Sequence, residues 1–491
     1  MRSRSTLSGD MPDQVTRRDF IATAAGAAAA AACSTAPGPR NVERPNLLFF
    51  FPDQHRHDWV GWNPDVPVPT PNLAALRDRG SNFTRAIVNS PVCAPSRACL
   101  ASAMEYENCG VRGNADQFPL DHPNYYRLLR DSGYHTMGCG KLDLDKPGKS
   151  WNLDGSRYKE PWGFSDLIDN VGKGDGMTAY LRDPVGPKDP YYAFLDSVEP
   201  PLGRIWADEL RRMADDRENL WWGETDPVPL PDDAYCDNWI ARNGLELLDR
   251  KPDGKPWHLV INFVGPHPPN DITESMAARY RGPNRVIDGF PQPDHYDGPF
   301  SAEKNLAIRQ NYAAMIENID RWLGIYIDYL RERGELDNTI IVYASDHGEM
   351  CGDHGRWGKS VPYAASAGVP LVMAGPGIHQ GFESNALTSM IDVAATHLDY
   401  GEVKPAEGMQ GRSLRPLLDS GQYSKRDHQR SGLGKWRMVE DQRYKLVVGE
   451  IQGLDTKPRL FDREADPTEN ENVAETKPGE VERLRKLLVD V

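Results

Sequence analysis

The chain reads as an α/β protein with a doubly wound, mostly parallel central sheet flanked by helices, followed by a smaller C-terminal antiparallel sheet and a helix. Three observations carry that reading. Short apolar runs, of which residues 46–51 (Asn-Leu-Leu-Phe-Phe-Phe) are the first, fit strands buried on both faces. These runs alternate with helical segments, the pattern of a doubly wound sheet. From about Asp419 the chain changes to short strands between turns, closing on a charged helix. A length of 491 residues suits one large domain plus a smaller one.

Taken in order, residues 37–45 form a Pro-containing linker into the strand 46–51. Thr70-Pro71 starts a helix that Gly80 stops. Residues 82–88 read as the second strand and residues 96–104 as a helix, which puts Cys93 near a helix N-terminus, where positive partial charge favours an oxyanion. Residues 134–139 are a further strand. Residues 151–231 are rich in Trp, Tyr, Pro and Gly without clean periodicity, and read as an insertion covering the site rather than as sheet. A helix over 233–248, a strand over 258–263, a long helix over 302–333, and buried strands over 339–343 and 369–373 complete the large domain. In the tail, residues 436–439, 444–448 and 458–461 read as strands. The expected division is 1–44 signal and linker, 45–418 large domain and 419–491 C-terminal subdomain. No internal repeat is visible.

Charge excludes one class of function. With 57 Lys+Arg against 72 Asp+Glu the chain is acidic, which argues against a general nucleic-acid binder. An anionic substrate must then be drawn by a local basic site. At the N-terminus, residues 16–21 (Thr-Arg-Arg-Asp-Phe-Ile) resemble a twin-arginine export motif, followed by a small, weakly apolar run over 22–32. That run is too short to span a bilayer, and no later segment is long enough. The mature protein is expected to be periplasmic or secreted, with Cys33 as a candidate lipid anchor that lacks the usual leucine three residues earlier. Seven cysteines, reduced to five when Cys33 and Cys93 are set aside, form too sparse and odd a set for a disulfide scaffold. Cys99, Cys109, Cys139 and Cys351 read as core residues.

The chemistry centres on Cys93-Ala94-Pro95-Ser96-Arg97. An isolated cysteine would read as buried structure, but this C-x-P-S-R run resembles the signature of type I sulfatases, in the alkaline phosphatase superfamily. The tail agrees, because Leu460-Phe461-Asp462 with Asp466-Pro467 and Glu471-Asn472 is similar to the segment that ends sulfatases. The resemblance runs from about residue 45 to the C-terminus. It implies that a formylglycine-generating enzyme oxidises Cys93 to Cα-formylglycine. One hydroxyl of the hydrated aldehyde attacks sulfur, and the other later collapses to expel sulfate. Twin-arginine export, which carries folded proteins, suits a cysteine that must be oxidised before folding.

The resemblance also implies a ligand set and a set of catalytic groups. Asp53, Cys93, Asp346 and His347 would hold one divalent cation. Calcium is the expected ion, and manganese and magnesium are alternatives because a histidine stands among the oxygen ligands. Pro52 replaces the first aspartate of the usual Asp-Asp-Gln run, and His347 stands where many members have asparagine. Both departures occur in the branch with choline sulfatases and phosphonate monoester hydrolases. Arg97, Lys141 and Lys359 would hold the sulfuryl oxygens, with His267 as general acid to the leaving group; His267 alone would read as a packed loop histidine. Asp143 stands where the family usually has histidine. It could pair with Lys141, deprotonate the diol or touch a cationic or hydroxyl-rich substrate group, and is expected in the pocket. His354 reads as a substrate contact or a support for the metal motif. His55 and His57 read as rim residues or solvated loop residues.

The leading expectation is an exported sulfatase acting on a sulfate ester, with a sulfated oligo- or polysaccharide favoured over a small organic sulfate such as choline sulfate. A phosphonate or phosphate ester hydrolase on the same scaffold is the second enzymatic reading. A secreted, non-catalytic binding protein with an unmodified Cys93 is the third.

Overall fold

Phe49 and Phe50 are neighbours in sequence and lie in different cores. Along the first strand, Asn46–Phe50, the side chains of Leu47 and Phe49, continued by Phe51, enter one apolar cluster, while Leu48 and Phe50 enter a second. The strand Thr339–Ala344 divides in the same way, with Ile340, Val342 and Ala344 on one side and Ile341 and Tyr343 on the other. Alternate residues point to opposite faces of a strand, so an unbroken apolar run means that both faces are covered.

A computed structural model describes residues 44–146, 159–183, 189–216, 218, 221–283, 285–421 and 426–489. Its central sheet has eight strands. In spatial order they are Phe382–Ser384, Gly80–Phe83, Leu371–Ala374, Thr339–Ala344, Asn46–Phe50, Trp257–Asn262, His135–Gly140 and Asp166–Asp169. The five from Thr339–Ala344 to Asp166–Asp169 pair in parallel. Leu371–Ala374 runs antiparallel to both of its neighbours. The helices Cys93–Ser102 and Met390–Tyr400 contribute to one core, and Cys236–Asp249 and Ala302–Glu332 to the other. Met390–Tyr400 went unread in the sequence, although Ser389 and Asp392 form a capping box at its start.

Two expectations need correction. The run 82–88 is two strands in two sheets: Gly80–Phe83 joins the central sheet, and Ala86–Ile87 pairs with Thr388–Ser389. A turn at Thr84-Arg85 separates them, and the apolar residues on its two sides hid the break. The segment 151–231 is also not free of sheet. Asp166–Asp169 (Asp-Leu-Ile-Asp) forms the edge of the central sheet, too short and too polar to announce itself as a strand. Behind it, Gly203–Asp215 is a helix that buries Trp206, Ala207, Leu210 and Met213, a one-sided spacing that the surrounding Trp, Pro and Gly obscured.

In the tail, Gln429–Leu433, Trp436–Glu440, Tyr444–Gly449 and Arg459–Asp462 form a four-stranded antiparallel sheet, and Leu484 of the helix Pro478–Val489 packs onto it. A shared cluster joins Trp436, Met438 and Phe461 of this sheet to Ile87, Met350 and Tyr363. Residues 43–491 form one compact unit. Among the described residues no helix is long and apolar enough to cross a membrane. The export motif, the apolar run after it and Cys33 lie outside the described residues.

Two buried histidines give the fold a pH dependence. Burial holds His55 and His258 at about 4, against an ordinary 6.5, because a desolvated imidazole resists protonation. For such depressed groups the contribution to stability is complete above pH 6.5. It is lost as pH falls from 6.5 toward 4, where the unfolded chain binds protons that the fold refuses. Urea unfolding should therefore show a lower midpoint at pH 5 than at pH 7, and His258→Gln should flatten that decline.

Candidate active site

Ligands in open α/β sheets gather at the carboxyl ends of the strands, and here four adjacent parallel strands each deliver at least one titratable side chain. Asp346 and His347 follow Thr339–Ala344, Asp53 follows Asn46–Phe50, His267 follows Trp257–Asn262, and Lys141 follows His135–Gly140. Cys93 is the first residue of the helix Cys93–Ser102 and is brought to the same place.

The Cys93 thiol is buried among two lysines and a histidine. Its Sγ lies 3.3 Å from Lys359 Nζ, 3.4 Å from His347 Nε2 and 3.5 Å from Lys141 Nζ. Asp53 Oδ1 is 3.8 Å away. Burial and Asp53 push the thiol's pKa up, but Lys141, Lys359 and His347 together outweigh them and bring it down to about 5. The site is built to hold negative charge at this position.

Arg97, one helical turn on, organises the carboxylates. Its Nε donates to Asp346 Oδ2 at 2.9 Å, and one terminal nitrogen donates to the Lys141 carbonyl at 2.6 Å and to Asn262 Oδ1 at 2.9 Å. The other terminal nitrogen reaches Asp53 Oδ2 at 3.4 Å. Asp53 also pairs with Lys141. Burial alone would raise Asp53, yet Lys141, His267, Lys359 and His347 hold its carboxyl well below the usual range. Burial pushes Asp346 up, and the Asp53 carboxylate adds to that push against the opposing Arg97.

The donor set fits a divalent cation. Asp53, Cys93, Asp346 and His347 each offer an atom, and the four atoms lie within 4.8 Å of one another. His347 Nδ1 bonds the Gly348 carbonyl at 3.0 Å, which turns Nε2 toward the cluster. An ion among these groups would relieve the repulsion between Asp53 and Asp346.

The sequence reading is brought together here for Asp53, Cys93, Arg97, Lys141, Asp346, His347 and Lys359. Asp143 joins them. Its side chain is buried, 3.5 Å from Lys141 Nζ and 2.9 Å from Lys146 Nζ, and Oδ1 has no partner among the described residues. Burial opposes its ionisation, but Lys141, Lys146 and Arg97 keep it below the usual carboxylate range. His267 feels the charges of Lys359 and Lys141. These act with burial, the larger cause, to hold its pKa well below 6.5.

His354 is engaged with the tail. It stacks on Tyr363 at 4.1 Å, and its Nε2 lies 3.0 Å from the Thr468 carbonyl oxygen, against the tail. His55 is no solvated loop residue. It is fully buried, with its ring nitrogens 2.9 Å from the Tyr343 hydroxyl and 2.8 Å from the Trp59 carbonyl. Cys99, Cys109, Cys139 and Cys351 are buried and free, as expected of core residues.

Sequence reasoning missed three supports. Gln54 accepts from Lys359 Nζ at 2.6 Å and donates to Glu349, whose carboxylate also accepts the Gly358 amide at 2.6 Å. Gln54 adopts a left-handed φ of 74°, which no side-chain pattern announces. Asn262 was more legible, since a polar residue closing an apolar strand at its carboxyl end is a site signal.

If the cluster binds an ion, calcium or manganese should raise the thermal unfolding midpoint. At a hundredfold excess over Kd the gain is about 2.7 kcal/mol. Asp346→Ala should abolish the effect, and an unchanged wild-type midpoint would contradict the site.

Comparison with known proteins agrees with this geometry. The sulfatase family model matches residues 45–403, and a second, described as N-sulphoglucosamine sulphohydrolase, C-terminal, matches 352–490. An arylsulfatase of Clostridium perfringens is 26% identical over 474 residues, covering 91% of this chain and 94% of the relative. A choline-sulfatase of Rhizobium meliloti is 28% identical over 473 residues, covering 90% and 84%. Among solved structures, one determined in complex with its substrate D-glucosamine-2-N,6-O-disulfate superposes with a TM-score of 0.70 at 20% identity, covering 91% of this chain and 97% of that one. The chain belongs to the sulfatase family and is a sulfuric ester hydrolase.

Proposed function

We propose that the protein is an exported sulfatase that hydrolyses a sulfate ester of a carbohydrate, using formylglycine made from Cys93 and one divalent cation held by Asp53, Asp346, His347 and the modified residue. The observation that carries this is the cluster around Cys93 Sγ, with Lys359, His347 and Lys141 all within 3.5 Å of it. When present, the hydrated aldehyde supplies the nucleophile, and the cation supplies positive charge beside it, with calcium as the ion proposed.

The chain's own groups do the rest. Lys141 and Lys359 bind sulfuryl oxygens from two sides, where developing charge is best met by fixed donors. Arg97 has Nε and both terminal nitrogens directed at protein acceptors, so its work is to hold Asp53, Asp346 and the Lys141 carbonyl in register. His267 Nδ1 lies 2.6 Å from the Pro268 carbonyl and donates to it, leaving Nε2 to carry a proton to the departing alcohol oxygen. An anionic sulfate between the lysines offsets the depression of its pKa. Asp143 is assigned to a hydrogen-bond donor on the substrate.

A sugar is favoured over a small organic sulfate on two grounds. The amino-sugar names of the C-terminal family and of the substrate-bound structure point that way. Trp222, from the segment after the edge strand, stands against the backbone beside Lys359: a Cβ built on Gly358 would lie 3.2 Å from its ring. An aromatic face there suits a pyranose ring. Export to the periplasm or medium, through the N-terminal motif, would meet such a substrate.

The test uses enzyme produced together with a formylglycine-generating enzyme and assayed on matched 4-nitrophenyl esters of sulfate and phenylphosphonate. The expected result is preferential sulfate turnover that Cys93→Ala abolishes. Faster phosphonate turnover would favour the phosphonate hydrolase, and turnover of neither ester together with an intact Cys93 thiol would favour the binding protein.

A further inference from the structure

We infer that Lys173 is a positioning residue for His267, so that the segment expected to cover the site also holds the acid in place. The inference rests on the general-acid assignment of His267 made above.

Lys173 breaks a local rule. It is the first residue of the helix Lys173–Arg182, where the helix dipole disfavours a cation, and its side chain is 1% exposed, where a charge is costly unless it is well paired. Local violations of this kind are expected at functional positions. The ammonium finds its partners in one place. Nζ donates to the His267 carbonyl at 3.0 Å, to the Pro269 carbonyl at 3.2 Å and to the Asp271 carboxylate. These three acceptors span the turn that carries the imidazole. The other end of the loop is tied as well, because the Asp237 carboxylate accepts the amides of Val264 at 2.8 Å and Gly265 at 3.1 Å.

The segment also touches the reacting groups. Gly172 has a φ of 81°, and a Cβ built on it would lie 3.2 Å from Lys141 Cδ. The backbone that delivers Lys173 therefore passes directly against the lysine beside Cys93. A buried cation that fixes the His267 carbonyl sets where Nε2 points, and general acid catalysis demands hydrogen-bond reach to the leaving oxygen. A misplacement of about 1 Å costs about 10²-fold.

The test separates positioning from mere bracing. Wild type, His267→Ala and Lys173→Met are prepared as holoenzyme and assayed on a series of aryl sulfates from 4-nitrophenyl to phenyl, with thermal unfolding measured alongside. Poor leaving groups need the acid and good ones do not. His267→Ala should lose about 10²–10⁴-fold in kcat on phenyl sulfate and much less on 4-nitrophenyl sulfate. Lys173→Met should follow the same leaving-group trend at about 10–10²-fold, with KM nearly unchanged. Lys173→Arg, which keeps the charge, is the second variant should the methionine form fail to fold. Equal loss by the Lys173 variant across the series, with His267→Ala still leaving-group dependent, would overturn the inference and leave the acid assignment standing. A flat response of His267→Ala would overturn the acid assignment itself, and wild-type inactivity on the whole series would count against both.

Discussion

The site is organised by the carboxylate of Asp53. It sits fully buried at the end of the central strand, and an unpaired charge there would cost several kcal/mol. Lys141 and Arg97 pair with it, and His347 and Lys359 stand 3.5 Å and 3.9 Å from it. The four arrive from three segments. Lys141 comes from the end of His135–Gly140, two strands away across Trp257–Asn262, Arg97 from the helix that begins at Cys93, and His347 and Lys359 from beyond the strand on the other side. The sheet register therefore decides whether the cations meet. A slip of one residue along any of these strands would turn a charged group from the site into an apolar core.

This arrangement explains how an acidic protein can bind an anion. The chain carries a formal charge of −15, which repels anions at long range. Inside the cluster the balance is reversed. Lys141, Lys359 and Arg97 face Asp53 and Asp346, and the outcome is visible in Cys93, whose thiol falls to about 5 in spite of burial and the nearby Asp53 carboxylate. Asp143, buried against Lys141 and Lys146, offsets part of that surplus.

Much of this was legible in the sequence, for identifiable reasons. Residues 46–51 and 339–343 carry no polar interruption, so their place in the middle of a covered sheet could be read directly. The Cys93 pentapeptide located the chemistry, and the resemblance it carries supplied Asp53, Lys141, Asp346, His347 and Lys359, which the fold does bring together. What was missed depends on backbone conformation and on long-range contacts. Gln54 adopts a left-handed φ, His354 stacks on Tyr363, and Asp166–Asp169 pairs with His135–Gly140 at the sheet edge. Lys173 reads as an ordinary lysine until the loop over residues 264–271 closes around it.

The account turns on the chemical state of one atom. Mass spectrometry of the Cys93 peptide, from enzyme produced alongside a formylglycine-generating enzyme, measures that state. The account predicts a loss of about 18 Da relative to the cysteine form, the replacement of thiol by aldehyde at the oxidised Cβ. An intact thiol, with the maturation enzyme shown to convert a control peptide, would contradict it.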